Sequence, residues 1–197
     1  MLKLMSEEAT AHLLSFSGGK KIAFLVLLYE RMIPELHSFC LAEGRDFSVF
    51  QKGRKEFWQW LMGGDSSISW GQFREDILSA TPDSEEFGTL AASFALNAAL
   101  VAADIAGFIE DGHDGHIVEA IGYARNSLDA NATNEMGAAV FNRAVEDYVR
   151  AHPLVRREVQ TEEDDVAFLR PMQEPPWPEN IVSMVRHRAE AQRGLLN

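Results

Sequence analysis

The sequence predicts an all-α protein: a single-domain bundle of about eight or nine helices around two central apolar helices. Apolar residues recur at spacings of three and four along almost the whole chain, and we find no alternating apolar and polar stretch between hairpin turns. The chain has 197 residues, of which 46% are hydrophobic. One core can accommodate a chain of that length, so one domain is expected.

The first two predicted helices differ in character: the first is short, and the second is long and apolar on both sides. Ser6 is placed to cap a first helix that Gly18-Gly19 ends. The second helix is apolar on both sides, which is typical of a central helix, with Ile22, Val26, Tyr29, Ile33, Leu36 and Cys40 on one stripe and Phe24, Leu27 and Leu28 opposite. Pro34 lies inside it and predicts a kink or a break near residues 32–33.

Two shorter helices and a long one follow. The third is predicted to start at Asp46 or Ser48 and to end at Gly63-Gly64, with Phe50, Phe57, Trp58 and Leu61 facing inward. Ser69 caps a fourth helix that ends at Ala80. The fifth starts at Asp83 or Ser84 and continues to Glu110. Its many alanines allow close approach, so we expect it to pack on the second helix at the centre.

The C-terminal half is predicted to hold four helices separated by clear breaks. "DGHDG" interrupts the chain, and the helices then cover residues 117–128, 136–148, 154–169 and 179–193, with a cap region at 131–134. "RPMQEPPWPEN" is too rich in proline to be helical. The predicted organisation is therefore an all-α domain over 1–169, a linker or strap over 170–178 with Trp177 packed onto the core, and a C-terminal helix over 179–197 packed on the same domain.

Charge and cysteine content restrict the classes of partner. The formal net charge of -12 disfavours nucleic acid, because phosphate backbones are bound through lysine and arginine. Cys40 is the only cysteine, which fits a reducing cytoplasm, and its place on the apolar stripe predicts a buried residue rather than a nucleophile. The apolar run before Glu30 is too short to cross a bilayer, so we expect no membrane anchor.

The adjacent charges Glu30 and Arg31 interrupt an apolar stretch, and a buried charge must be paired. Glu35 and Asp104 are the predicted partners of Arg31, and the pair is predicted to stabilise the fold. A wider polar network or pocket is predicted from Glu30, Arg31, Asn97, Asp104, Arg125, Asn126 and Asp129. The acidic run 162–165 is predicted to be a solvated helix face.

A metal site has only weak candidates, His113 and His116, which lie with several carboxylates around "DGHDG". The glycines there are equally typical of a turn, so no metal and no cofactor is predicted.

Four segments in order, "YERMIPELHSFC", "ATPDSEEFGTLAASFALNAALVAADI", "ARNSLDANATNEM" and "HPLVRREVQTEEDDVAFL", resemble the YjaG-like family of bacterial proteins, domain of unknown function 416. The resemblance runs from about Lys20 to Leu169 and implies one all-α domain with no established activity. The matching positions are Glu30, Arg31, Pro34, Cys40, Asp83, Phe87, Arg125, Asn126 and Asp129. Residues 170–197 are expected to depart from the family.

Two functional hypotheses follow. The first is a non-enzymatic cytoplasmic protein that binds another protein, with a basic partner favoured by the acidic charge; an immunity or antitoxin protein is one such type. The alternative is a small-molecule enzyme or ligand-binding protein with a polar pocket around Glu30, Arg31, Asp104 and Arg125. Self-association into a homo-oligomer stays open.

Overall fold

The computed structural model describes residues 5–63, 68–137 and 143–194, and within these ranges it contains helices and no strand. The helices are α1 (Glu7–Ser15), α2 (Gly18–Ala42), α3 (Ser48–Leu61), α4 (Trp70–Ala80), α5 (Ser84–Phe87), α6 (Leu90–Asp111), α7 (Gly115–Met136), α8 (Arg143–Ala151), α9 (Pro153–Leu169) and α10 (Glu179–Ala191). The predicted all-α class is confirmed.

The long helices α2 and α6 form the centre of the bundle, as predicted. They pack on each other more extensively than any other pair of described helices, and α4 and α7 cover the other sides of α6. The helices α3, α9 and α10 lie against α2. Every residue of α2 from Lys20 to Ile33 is buried, and alanines such as Ala95, Ala98 and Ala102 are fully buried in α6. Small side chains at this contact let the two backbones come close.

By length and composition α6 could cross a membrane, and it is the one described helix that meets these criteria. Within the bundle, however, 72% of its most apolar window is buried against the other helices. That degree of burial is what the core helix of a bundle requires, because a helix that is apolar all round needs neighbours on every side.

Several predicted boundaries are confirmed and one is wrong. Ser6 and Ser69 each accept a backbone N–H in the first turn of their helix, and Asp46 does the same for Ser48. Gly18-Gly19, however, begins α2, since α1 already ends at Ser15. Pro34 lies inside α2 without breaking it, which excludes the predicted break, and the predicted kink stays a prediction.

The fifth predicted helix is divided, and the two that follow it are placed differently. Gly88 has a φ of +59°, which ends α5, and Thr89 then caps α6 through the N–H of Ala92. The predicted cap region 131–134 lies inside α7, which continues to Met136. Ala132 is buried in the core there, and its packing outweighs the local turn preference of the asparagines. The next helix was predicted over 136–148, and its residues 138–142 lie outside the described residues.

The segment 170–178 passes back over the core and carries Trp177, which is buried. The Trp177 backbone N–H donates to Leu61 O at 2.8 Å, and its indole Nε1 donates to Gln173 O at 2.7 Å. Pro176 packs on Gly63, where an added Cβ would lie 2.6 Å from Cβ of the proline. Gly63 therefore serves two needs: its φ of +72° ends α3, and its lack of a side chain makes room for the strap.

Candidate functional site

Arg31 is the centre of a buried ion network, and its partners lie on α9. Its Nε donates to Glu158 Oε1 at 2.9 Å, Nη2 lies 2.8 Å from the same oxygen, and Nη1 donates to Asp165 Oδ2 at 2.7 Å. The Arg31 side chain is 2% exposed and that of Asp165 is 0% exposed. Burial opposes the charge of Arg31, but Glu158 and Asp165 outweigh it and raise the pKa of the guanidinium.

Two further arginines complete the network. Arg125 on α7 donates from Nη2 to Glu162 Oε2 at 2.5 Å, and Arg188 on α10 donates from Nε to Asp165 Oδ1 at 2.6 Å. Three guanidinium groups therefore face three carboxylates, which balances the formal charge inside the core. Burial nevertheless raises the pKa of Glu162 to about 7 against the opposing effect of Arg125.

This network corrects two predictions. The acidic run is not a solvated face, because Glu162 and Asp165 are fully buried. Asp104, a predicted partner of Arg31, instead pairs with His116. A signal was present in the sequence: Glu158, Glu162 and Asp165 have i, i+4, i+7 spacing on α9, on the side that carries the buried Val155, Val166 and Leu169. We interpret the network as a structural element that connects α2, α7, α9 and α10.

The side chain of Glu30, next to Arg31 in the sequence, faces α3 and not α9. Its Oε1 accepts from Arg54 Nε at 2.6 Å and from Trp58 Nε1 at 2.8 Å, and the residue is 2% exposed. Arg186 lies over the Trp58 ring, with Cζ 5.1 Å from the ring centroid. The Glu30 carboxylate thus holds the side chains of Arg54 and Trp58 on α3. Arg186 on α10 places a further cation over the Trp58 indole.

A cleft of about 780 Å³ opens at this point between α3 and α10. We call it the Arg54 cleft, and its lining is Glu30, Ser48, Gln51, Lys52, Arg54, Lys55, Glu56, Trp58, Arg186, Ala189 and Glu190. Four of these residues are cationic and three are anionic, in a chain of net charge -12. A second cavity of about 480 Å³ shares Gln51 and Arg54 with it and adds His37 and Arg193. The cleft region is therefore locally richer in positive charge than the chain as a whole.

A third polar group lies where α6 meets α7. His116 Nδ1 is 3.0 Å from Asp104 Oδ1, and Nε2 is 3.3 Å from Asp111 Oδ2. Asp104 is 3% exposed, and burial raises its pKa to about 6 in spite of the opposing effect of His116. His113, the other predicted metal candidate, is exposed, and its Nδ1 accepts from the backbone N–H of Gly115.

The other predicted network residues do not converge on one pocket. Asn97 on α6 donates to Ser127 Oγ at 3.0 Å, whereas Asn126 is exposed. Asp129 is half-buried, and that burial raises its pKa. Cys40 is buried. Of the predicted residues, Arg31 and Arg125 thus belong to the ion network, Glu30 to the Arg54 cleft and Asp104 to the pair with His116, and the others belong to none of these groups.

Comparison with known proteins identifies relatives of this chain. A family model described as "Protein of unknown function (DUF416)" matches residues 9–193. The match includes most of the segment 170–197, which was expected to depart from the family. The crystal structure of a DUF416 family protein from Shewanella baltica OS155 superposes with a TM-score of 0.81 at 16% identity, covering 92% of each chain. No curated protein matches the sequence.

Proposed function

This chain belongs to the DUF416 family of proteins of unknown function, and we propose that it binds a small anionic ligand in the Arg54 cleft. The single observation that carries the proposal is the gathering of Arg54, Lys55 and Arg186 around one cleft of a strongly acidic chain. Arg31 and Arg125 are enclosed with their buried carboxylates, whereas the side chain of Arg54 pairs with the buried Glu30 and is still 36% exposed.

The geometry around Glu30 supports an anion site because it prepares Arg54 for binding. Glu30 takes the Nε hydrogen, so a bound carboxylate or phosphate would meet the two Nη groups, which suit a planar or tetrahedral anion. Arg54 has a side chain that is 36% exposed, so solvent and ligands reach it. A positioned guanidinium loses less conformational entropy on binding than a free one.

Size and composition also fit a small molecule. The volume of about 780 Å³ lies within the range of roughly 300–1,000 Å³ typical of ligand sites. The Trp58 indole adds an apolar surface at the base, next to the guanidinium of Arg186. We propose binding rather than catalysis, since the buried acid of the site, Glu30, already accepts two hydrogen bonds and acts as a positioning group.

The test is a titration with two compact anions, inorganic pyrophosphate and citrate, followed by calorimetry and by thermal melts at constant ionic strength. We expect saturable binding that Lys55→Glu and Arg186→Glu weaken at least about tenfold. Arg150→Glu is the matched control, because it makes the same change in net charge at an exposed position on α8. Binding that is absent for both anions, or equally weakened in the control, would contradict the proposal.

A protein partner is the second candidate, and the charge distribution favours a basic one. Lys20 and Lys21 are largely buried, and the net charge of -12 leaves an excess of carboxylates on the surface, for example Asp164 on α9. A complex of this kind would weaken with salt and with Asp164→Lys. It would be insensitive to Lys55→Glu, which separates it from binding in the Arg54 cleft.

A further inference from the structure

Asp104, His116 and Glu119 come together at the junction of α6 and α7 with the atoms a metal ion needs. Each offers one ligand atom, and these atoms lie within 4.8 Å of one another. Ligands on opposite sides of a first-row metal are about 4.2 Å apart, since each bond is about 2.1 Å long. Glu119 is exposed, and the difference between 4.8 and about 4.2 Å is small enough for a change of its side-chain rotamer to close.

The buried member of the group has an unused acceptor. Asp104 is 3% exposed, and its Oδ2 is buried without a hydrogen-bond partner, while Oδ1 faces His116 Nδ1. A buried carboxylate oxygen without a hydrogen bond is costly, and this one is available to coordinate a cation. This oxygen is an independent indication of a ligand, beyond the clustering of the three side chains.

The backbone is also shaped to hold the imidazole at this place. An added Cβ on Gly107 would lie 2.6 Å from Cε1 of His116 and 2.8 Å from Nε2. The ring therefore rests directly on the α6 backbone, one turn beyond Asp104. Any larger residue at 107 would push the imidazole away from the carboxylate.

We propose that Asp104, His116 and Glu119 bind one divalent transition-metal ion, of the class of Mn²⁺ or Zn²⁺. One imidazole nitrogen with two carboxylate oxygens suits these ions better than Ca²⁺ or Mg²⁺, which prefer oxygen alone. The carboxylate of Asp111, 3.3 Å from His116 Nε2, adds negative charge, whereas Arg74 is the nearby cation that opposes it. Coordination through Nδ1 requires that nitrogen to be unprotonated, so a proton on Nδ1 would leave to solvent and Nε2–H would donate to Asp111.

The experiment is Mn²⁺ titration of the chelator-treated full chain, followed by calorimetry and by pulsed electron paramagnetic resonance. We expect one saturable site per chain with coupling to one imidazole nitrogen. Asp104→Asn, His116→Gln and Glu119→Gln should each weaken binding at least about tenfold. Glu119 is exposed, so its variant tests the site without disturbing the core.

His113→Gln is the matched control, because His113 lies in the same loop, with its ring centroid 6.4 Å from that of His116. The His113→Gln variant should bind Mn²⁺ with the affinity of the unaltered chain, and its resonance spectrum should still show coupling to one imidazole nitrogen. The proposal is overturned if binding does not saturate, if it survives in Asp104→Asn and Glu119→Gln, or if His113→Gln weakens it as much as His116→Gln does.

Discussion

Removing Arg31 tests whether the core network stabilises the fold. Arg31→Ala leaves Asp165 with Arg188, at 2.6 Å, but deprives Glu158 of both hydrogen bonds from the guanidinium. Breaking a buried pair from one side costs about 3–5 kcal/mol. Because Asp165 keeps a partner and Glu158 can take up a proton, we expect the lower end, about 3 kcal/mol. For a chain of this size that corresponds to a fall in Tm of about 6–12 °C.

Thermal and urea denaturation, monitored by circular dichroism, measure the loss. Arg150→Ala is the control: it removes an exposed pair with Glu146 and should change the free energy of unfolding by less than about 0.5 kcal/mol. Arg31→Met with Glu158→Met should recover most of the loss, since apolar residues of similar volume can replace a buried ion pair. A Tm for Arg31→Ala within about 1 °C of the control would refute the structural role of the network.

Three further predictions concern other parts of the molecule. The raised pKa of Glu162, about 7, means that the folded state holds a proton more tightly than the unfolded state, so its contribution to stability is full below about pH 4.5 and is lost as pH rises through 7. Gln is neutral at every pH, so the free energy of unfolding of the unaltered chain should fall relative to that of Glu162→Gln between urea melts at pH 5 and pH 7. Trp177→Ala should lower the free energy of unfolding by about 3–5 kcal/mol, and Trp177→Phe by clearly less, in the same urea assay. Glu30→Gln keeps a side-chain oxygen that can accept from Arg54 but removes a negative charge from the cleft, so pyrophosphate binding should strengthen in calorimetry; weaker binding would argue against charge as the basis of the site.

Most of the fold could be predicted from the helical spacing of apolar residues. The inward positions of α3, Phe50, Phe57, Trp58 and Leu61, follow from helical spacing, and all four are buried. Boundaries were less predictable where packing opposes local preference. The asparagines around Ala132 favour a turn in isolation, but the burial of Ala132 keeps α7 continuous.

The candidate sites were less predictable, because they depend on contacts between distant segments. Glu30 and Arg31 were identified as a feature that needs partners, but neighbouring positions in a sequence do not show that one side chain turns toward α3 and the other toward α9. His116 was identified as well, with its loop neighbour His113, whereas its actual partner Asp104 lies one helix earlier. Spacing identifies the face of a helix, and only the packing of helices identifies what that face meets.

The separation of Arg31 from its partners also has a consequence for synthesis of the chain. Glu158 follows Arg31 by 127 residues and Asp165 follows by 134. At about 5–20 residues per second, a ribosome needs roughly 6–25 seconds to add that length. During this interval α2 and α6 can already meet, while the guanidinium among the α2 leucines still lacks its carboxylates. The face of α2 that carries Arg31 therefore stays open to water until α9 is made, and the core can close over the guanidinium only after residues 158–165 arrive.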